Sequence, residues 1–234
     1  RGGCLRVASE ARALEAGGQI PAELDPAGLC GFLLGGAVPE PFTLRRGVRS
    51  LPPGSVWCAD ARGLREVLPR RGLLQRLAEL EAARPERAEP SAEFDARVRA
   101  AVLDSVRAHT LSSDVPVGLF LSAGIDSTVL AALMREVEPA GRLTAITLAC
   151  PEFAGRADDE LPLARRVAAG LALEHRVVPF SGDDFEAGIE AWLQAMDLPT
   201  TDGLNTFLVS RAARAAGLTV VLSGLGGDEL LGGY

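Results

Sequence analysis

An α/β fold with a doubly wound parallel sheet is predicted for the larger part of this 234-residue chain, on three observations. From Ser91 onward, short apolar runs alternate with longer segments of helical periodicity, the order of repeated strand–helix–strand units. The first of these runs, VGLFL at 117–121, is continuous, short and apolar, as a strand covered by helices on both faces is. Hydrophobic residues at 47% and charged residues at 24% are ordinary for a globular protein, and the length suffices for one or two domains with a proper core.

In chain order, residues 4–9 (CLRVAS) read as a short strand, and residues 9–18 (SEARALEAGG) and 25–36 (DPAGLCGFLLGG) as helices. Residues 39–58 are punctuated by Pro and Gly, with turn chemistry around Pro52, Pro53 and Gly54. Residues 61–90 are rich in Arg, Glu and Ala and end in EAARPERAEP, so a solvated linker is expected there. Beyond it, Phe94, Val98, Val102 and Val106 recur every four residues and place one apolar stripe on a helix. VGLFL (117–121), LTAITLA (143–149), EHRVVPF (174–180) and LTVVL (218–222) read as strands. STVLAALMREV (127–137), DDELPLARRVAAGLA (158–172), DDFEAGIEAWLQAM (183–196) and TFLVSRAARAAG (206–217) read as helices.

Several function classes drop out on composition. The net charge is −7, and the cluster Arg62, Arg65, Arg70, Arg71 and Arg76 is interleaved with acids, so nucleic acid is not expected as the main partner. All 24 basic residues are Arg, which excludes a Walker-type lysine loop and Schiff-base chemistry. Cys4, Cys30, Cys58 and Cys150 are spaced too widely for a zinc knuckle and read as free thiols in a reducing compartment. His109 and His175 stand alone, and a structural hydrogen bond is expected for His175. No apolar run reaches about 18 residues and no signal peptide opens the chain, so no membrane partner is expected. Both ends look cut, which marks a piece of a longer protein.

In a doubly wound sheet, ligands bind at the carboxyl ends of the strands. Two loops there share a design. Residues 122–127 (SAGIDS) follow the run VGLFL. Ser122, Gly124 and Ser127 offer hydroxyls and close backbone approach at a helix N-terminus suited to phosphate, and Asp126 offers an oxygen to Mg²⁺. An ordinary capped turn would use the same serines. Residues 223–229 (SGLGGDE) follow TVVL; Ser223, Gly224 and Gly226 make a second backbone cradle, and Asp228 a second carboxylate. Two such loops on one sheet point to a nucleotide site using Mg²⁺.

These residues carry a resemblance. SAGIDS is similar to the S-G-G-x-D-S pyrophosphate loop of the ATP pyrophosphatase superfamily, and SGLGGDELLGGY resembles the S-G-x-G-x-D-E-x-[FL]-G-G-Y signature of glutamine-hydrolysing asparagine synthases. The stretch LPTTDGLNTFLVSRAARAAGLTVVLSG and the pattern DDE(x3)A(x3)A…H over residues 158–175 are similar to that family too. VASEARAL and GVRSLPPGSVW resemble the end of its N-terminal glutaminase domain. The resemblance implies three parts: residues 1–60 as the tail of an α+β N-terminal-nucleophile glutaminase domain, 61–90 as a linker, and 91–234 as the start of an adenine nucleotide alpha-hydrolase-like synthetase domain.

It also implies a chemistry. Aspartate is activated by ATP as β-aspartyl-AMP with release of pyrophosphate, and glutamine-derived ammonia displaces AMP. Leu121, Ser122, Gly124, Ser127, Ile146, Ser223, Gly224 and Gly226 are implied to hold ATP, and Asp126 and Asp228 to carry Mg²⁺ and the catalysis. Plain core packing is compatible with the roles of Leu121 and Ile146, and capping is preferred for Asp202, Asn205 and Thr206. Asp158, Asp159 and Glu160 suit a helix dipole, and Trp192 and Met196 a core. A cytoplasmic homodimer is implied for the full-length protein.

The departures are specific. Residue 1 is Arg where the family has a nucleophilic cysteine, and Cys4 matches the end of that domain, so no glutaminase activity is expected of this chain. Ala123 replaces the second glycine of the pyrophosphate loop, which fits if its φ is negative. A pyrophosphate-binding Lys that the family places after GGY is missing from this chain, which ends at Tyr234. Leu225 stands where many members have Glu. That keeps open a β-lactam synthetase-like or peptide-cyclising enzyme, beside an inert nucleotide-binding fragment.

Overall fold

A computed structural model describes residues 4–18, 20–21, 23–68, 73–83 and 91–231. It divides into two compact units: Arg1–Ala88 with Ala191–Gly203, and Glu89–Glu190 with Leu204–Tyr234.

In the first unit, helix α1 (Ala11–Ala16) is capped from afar by Asp197, whose carboxylate accepts the N–H groups of Ala11 and Arg12 at 2.9 and 3.0 Å. Helix α2 (Pro26–Gly35) is capped locally by Asp25, which accepts from the N–H of Ala27, and it closes on Gly36 at φ 74°. Two expectations are corrected here. Residues 4–8 form no strand; they are exposed and have no strand partner among the described residues. The supposed linker carries structure: β1 (Val56–Asp60) pairs antiparallel with β2 (Gly63–Leu68), and α3 (Leu73–Ala82) follows. Local turn chemistry overrides the charged composition, because Asp60 accepts the N–H of Arg62 and pairs with Arg65 across the hairpin. Of the arginine cluster, Arg65 and Arg76 pair with acids, whereas Arg70 and Arg71 lie outside the described residues.

The second unit holds the predicted parallel sheet. Helix α4 (Ser91–Leu111) buries Leu103, Val106 and Thr110, with Phe94 at the exposed start of the stripe. Then follow β3 (Val117–Phe120), α5 (Ile125–Val137), β4 (Thr144–Ala149), a short 3₁₀ turn (Pro151–Phe153), α6 (Leu161–Gly170), β5 (Glu174–Pro179), α7 (Gly182–Ala195), α8 (Leu204–Ala215), β6 (Val220–Leu222) and α9 (Gly227–Leu231). The strands lie parallel in the order β5-β4-β3-β6. Both faces are covered. Leu119, Leu121 and Ala145 pack with residues of α4, α5 and α6, and Ile146 packs with Ala212 and Ala213 of α8. The chain winds from β3 out to β5 and returns to β6 on the other side of β3. The strand order therefore reverses between β3 and β6, where a doubly wound sheet opens its ligand crevice.

The predicted dipole role of the acids before α6 is met by Asp159, which accepts the N–H of Leu161 at 3.1 Å. All four cysteines are free. Among the described residues, no helix is long and apolar enough to cross a membrane.

Candidate functional site

The two glycine-bearing loops leave adjacent strands. β3 and β6 are paired from Val117 with Val220 to Leu119 with Leu222, so both chains emerge at the same sheet edge. There the loops touch. A Cβ built on Gly227 would lie 2.4 Å from Oδ2 of Asp126, and one on Gly224 would lie 2.9 Å from the Asp126 Cβ. The absence of side chains at residues 224 and 227 therefore lets Asp126 seat against the second loop.

The first loop is tied internally. Ser122 Oγ accepts the N–H of Gly124 at 3.3 Å and meets Ser127 Oγ at 3.1 Å, and Ser127 Oγ also reaches the Gly124 carbonyl at 3.1 Å. Gly124 stands at the N-cap of α5, so neither serine caps the first turn. The N–H groups of Ile125, Asp126 and Ser127 have no partner among the described residues. The first turn of any helix has such open donors, and an anion can take them up. The condition set for Ala123 is not met: its φ is 64°, in the left-handed region that favours glycine and costs alanine about 1–2 kcal/mol.

The second loop closes on itself. The N–H of Leu225 donates to Ser223 Oγ at 3.3 Å and that of Gly227 to the Gly224 carbonyl at 3.1 Å, with Gly226 at φ 94°. Asp126 and Asp228 are each half-buried, and neither pairs with an arginine among the described residues. Among the described residues no cluster of three or more His, Cys, Asp or Glu forms a metal cage. A hard ion such as Mg²⁺ takes only one or two carboxylates and completes its shell with substrate phosphates and water, so this donor set fits it. Ile125 and Leu225 are 83% and 79% exposed, so each loop carries one exposed apolar side chain.

Leu121 and Ile146 are each 1% exposed, on opposite faces of the sheet, and their side chains belong to the two cores. Their backbones are joined by Leu121 N–H to the Ile146 carbonyl at 2.8 Å. Asn205 and Thr206 are exposed in the first turn of α8, and the N–H of Asp202 donates to Thr200 Oγ1 at 3.2 Å. The last three residues of the second motif, Gly232, Gly233 and Tyr234, lie outside the described residues. His175 makes the expected structural bond, 2.8 Å from Nε2 to Thr147 Oγ1, and burial with nearby Arg165 lowers its pKa. Thr147 was missed in the sequence. Its signal was a hydroxyl set between Ile146 and Leu148 in the strand LTAITLA, which also carries Thr144.

Comparison with known proteins follows the same residues. The profile of the asparagine synthase family matches residues 97–234. A Mycobacterium tuberculosis (strain H37Rv) protein, provisionally named a glutamine-hydrolysing asparagine synthetase, is 37% identical over 84% of this chain and 29% of its own length. Asparagine synthetase 1 of Bacillus subtilis is 30% identical over 91% of this chain and 31% of its own length. The chain thus spans less than a third of the length of these curated relatives. Among solved structures, an ammonia-dependent NAD synthetase from Campylobacter jejuni is similar with a TM-score of 0.41 and 22% identity, over 59% of each chain.

Proposed function

Because the chain belongs to the asparagine synthase family, we propose that it carries the ATP-handling part of a ligase that turns a carboxylate into an amide. In this reading the substrate is aspartate. Its side-chain carboxylate attacks the α-phosphorus of ATP to give β-aspartyl-AMP and pyrophosphate, and ammonia derived from glutamine then displaces AMP. The reaction needs a site that stabilises departing pyrophosphate, since a carboxylate is a poor electrophile until it carries a good leaving group.

The observation that carries the proposal is Asp126 of the first loop seated against Gly224 and Gly227 of the second. That contact makes the two loops one site. The open N–H groups of Ile125, Asp126 and Ser127, with the hydroxyls of Ser122 and Ser127, face the phosphates in this reading. Ser223, Gly224 and Gly226 shape the opposite wall, and Leu121 and Ile146 set the strand ends beneath the adenosine. Asp126 and Asp228 would hold Mg²⁺, which when bound supplies charge neutralisation for the departing pyrophosphate. Residues 1–60 are proposed as the tail of the glutaminase domain and 91–234 as the start of the synthetase domain. Residues 61–90, which include β2 and α3, are proposed as the segment that links them. A homodimer in the cytoplasm completes the proposal for the full-length protein.

The test is exchange of labelled pyrophosphate into ATP by the full-length protein. Exchange is expected only when aspartate is present, and is lost in Asp126→Ala. A second reading rests on Leu225, an exposed apolar side chain at the tip of the second loop. Exchange supported by a bulkier carboxylate but not by aspartate would replace the aspartate reading with that of a ring-closing relative.

A further inference from the structure

We propose that His175, acting through Thr147, is a positioning residue that sets the loop at residues 122–127 for nucleotide binding; this rests on the reading of that loop as part of an ATP site.

The geometry is a relay across three strands or their ends. Thr147 lies in β4, 4% exposed, and its hydroxyl donates to the carbonyl of Leu121 at 2.6 Å. A threonine hydroxyl has one proton, and that bond uses it. The second contact of the same oxygen, 2.8 Å to Nε2 of His175 in β5, must therefore run the other way, with the imidazole Nε2–H donating. The tautomer is thus fixed by the protein. Burial and the neighbouring Arg165 lower the His175 pKa, which keeps the ring neutral.

What the relay holds is the peptide that opens the loop. The N–H of Leu121 is bonded to the Ile146 carbonyl at 2.8 Å, so main chain fixes its amide side. Its carbonyl belongs to the peptide joining it to Ser122, and a side chain takes hold of that one. Ser122 in turn contacts Ser127 and Gly124, and the next residue, Ala123, sits at φ 64°. A left-handed alanine stays put only where its surroundings over-determine it. Packing alone would accept valine at position 147, where the neighbours along the strand are apolar; the hydroxyl is present for the bond it makes.

The test uses the full-length protein with Mg-ATP as the probe. Thr147→Val keeps the volume and removes the hydroxyl, and Thr147→Ser keeps the hydroxyl and removes the methyl. Expected is a weakening of Mg-ATP binding by roughly five- to ten-fold in the valine variant, about one neutral hydrogen bond, with affinity within about two-fold of wild type in the serine variant. The ring ¹⁵N spectrum of the wild type should show His175 as the Nε2–H tautomer, and the valine variant should lose that preference. Undiminished binding in the valine variant, or an Nδ1–H tautomer in the wild type, overturns the relay while leaving the ATP site standing. A wild type that binds no Mg-ATP overturns the site reading and the relay with it. Should the valine variant fail to fold, the wild-type spectrum and the serine variant still decide.

Discussion

The two ends of the parallel sheet are built to opposite standards. At the amino end, Arg135 of α5 donates to the carbonyls of Leu171, Ala172, Glu138, Pro139 and Gly141, at distances from 2.8 to 3.3 Å. One guanidinium gathers the loops that enter β4 and β5. At the carboxyl end, three successive N–H groups of α5 have no partner among the described residues, and the half-buried Asp126 and Asp228 pair with no arginine there. Native proteins leave few buried polar groups unsatisfied, and the exposed N–H groups of a helix's first turn stay open to water or to a ligand. The difference separates scaffold from site more sharply than strain does, because each end also carries a left-handed alanine: Ala172 at φ 49° and Ala123 at φ 64°. Ala172 follows α6, where the N–H of Leu173 closes on the Ala168 carbonyl at 2.9 Å as at many helix ends.

The comparison breaks most visibly at Arg135. Arg135→Met keeps the apolar stem and removes all five donated bonds, so a loss of about 3 kcal/mol in folding stability is expected in denaturant titration, with Mg-ATP affinity per folded molecule unchanged. A change in affinity would show that the two ends are not separable. Gly227→Ala is the converse. Its added methyl would sit 2.4 Å from Asp126 Oδ2, so Asp126 must move. Calorimetry should show Mg-ATP binding weakened by roughly ten- to a hundred-fold, while stability changes by less than about 1 kcal/mol. Binding that survives the methyl would sever Asp126 from the second loop.

Smaller effects sharpen the contrast. Ala123→Gly and Ala172→Gly should each stabilise by about 0.5–1 kcal/mol, the relief of left-handed alanine less the added entropy of glycine in the unfolded chain. Equal gains at the two ends would confirm that strain does not mark the site; a gain at Ala172 alone would mean that the Ala123 loop is held by more than its own backbone preference. The smallest effect belongs to Glu174 at the amino end, whose carboxyl is held down to about 2 by Arg142 and Arg176. A depressed carboxyl stabilises the fold above its ordinary value of 4.5, and the contribution fades as pH falls toward 2. Glu174→Gln should therefore melt slightly below wild type at neutral pH, and the two melting curves should converge in strong acid.

Much of this contrast was legible beforehand, for reasons that differ by residue. The parallel strands announced themselves because burial on both faces leaves short apolar runs, VGLFL the clearest of them, separated by helical segments. Both loops of the proposed site drew attention because glycine and serine beside aspartate, just after such runs, have a narrow range of uses. Arg135 was invisible: its partners are backbone carbonyls, which sequence does not mark. Asp126 against Gly227 was equally hidden, since their contact depends on β6 returning beside β3. The β1–β2 hairpin escaped because its signal lay in one aspartate folding back on the turn, beneath a composition that read as solvated chain. The positive φ of Ala123 was hidden because the loop's geometry, and not the preference of one alanine, sets it.

The central claim is that the loops at residues 122–127 and 223–229 form a single Mg-ATP site. The direct measurement is calorimetric titration of Mg-ATP into the full-length protein, beside Asp126→Ala and Asp228→Ala. Magnesium-dependent binding to the wild type, weakened on the order of a hundred-fold in both variants with folding intact, is the expected result. Binding that either variant retains at full strength, or none in the wild type, would contradict it and return the two loops to ordinary strand-to-helix turns.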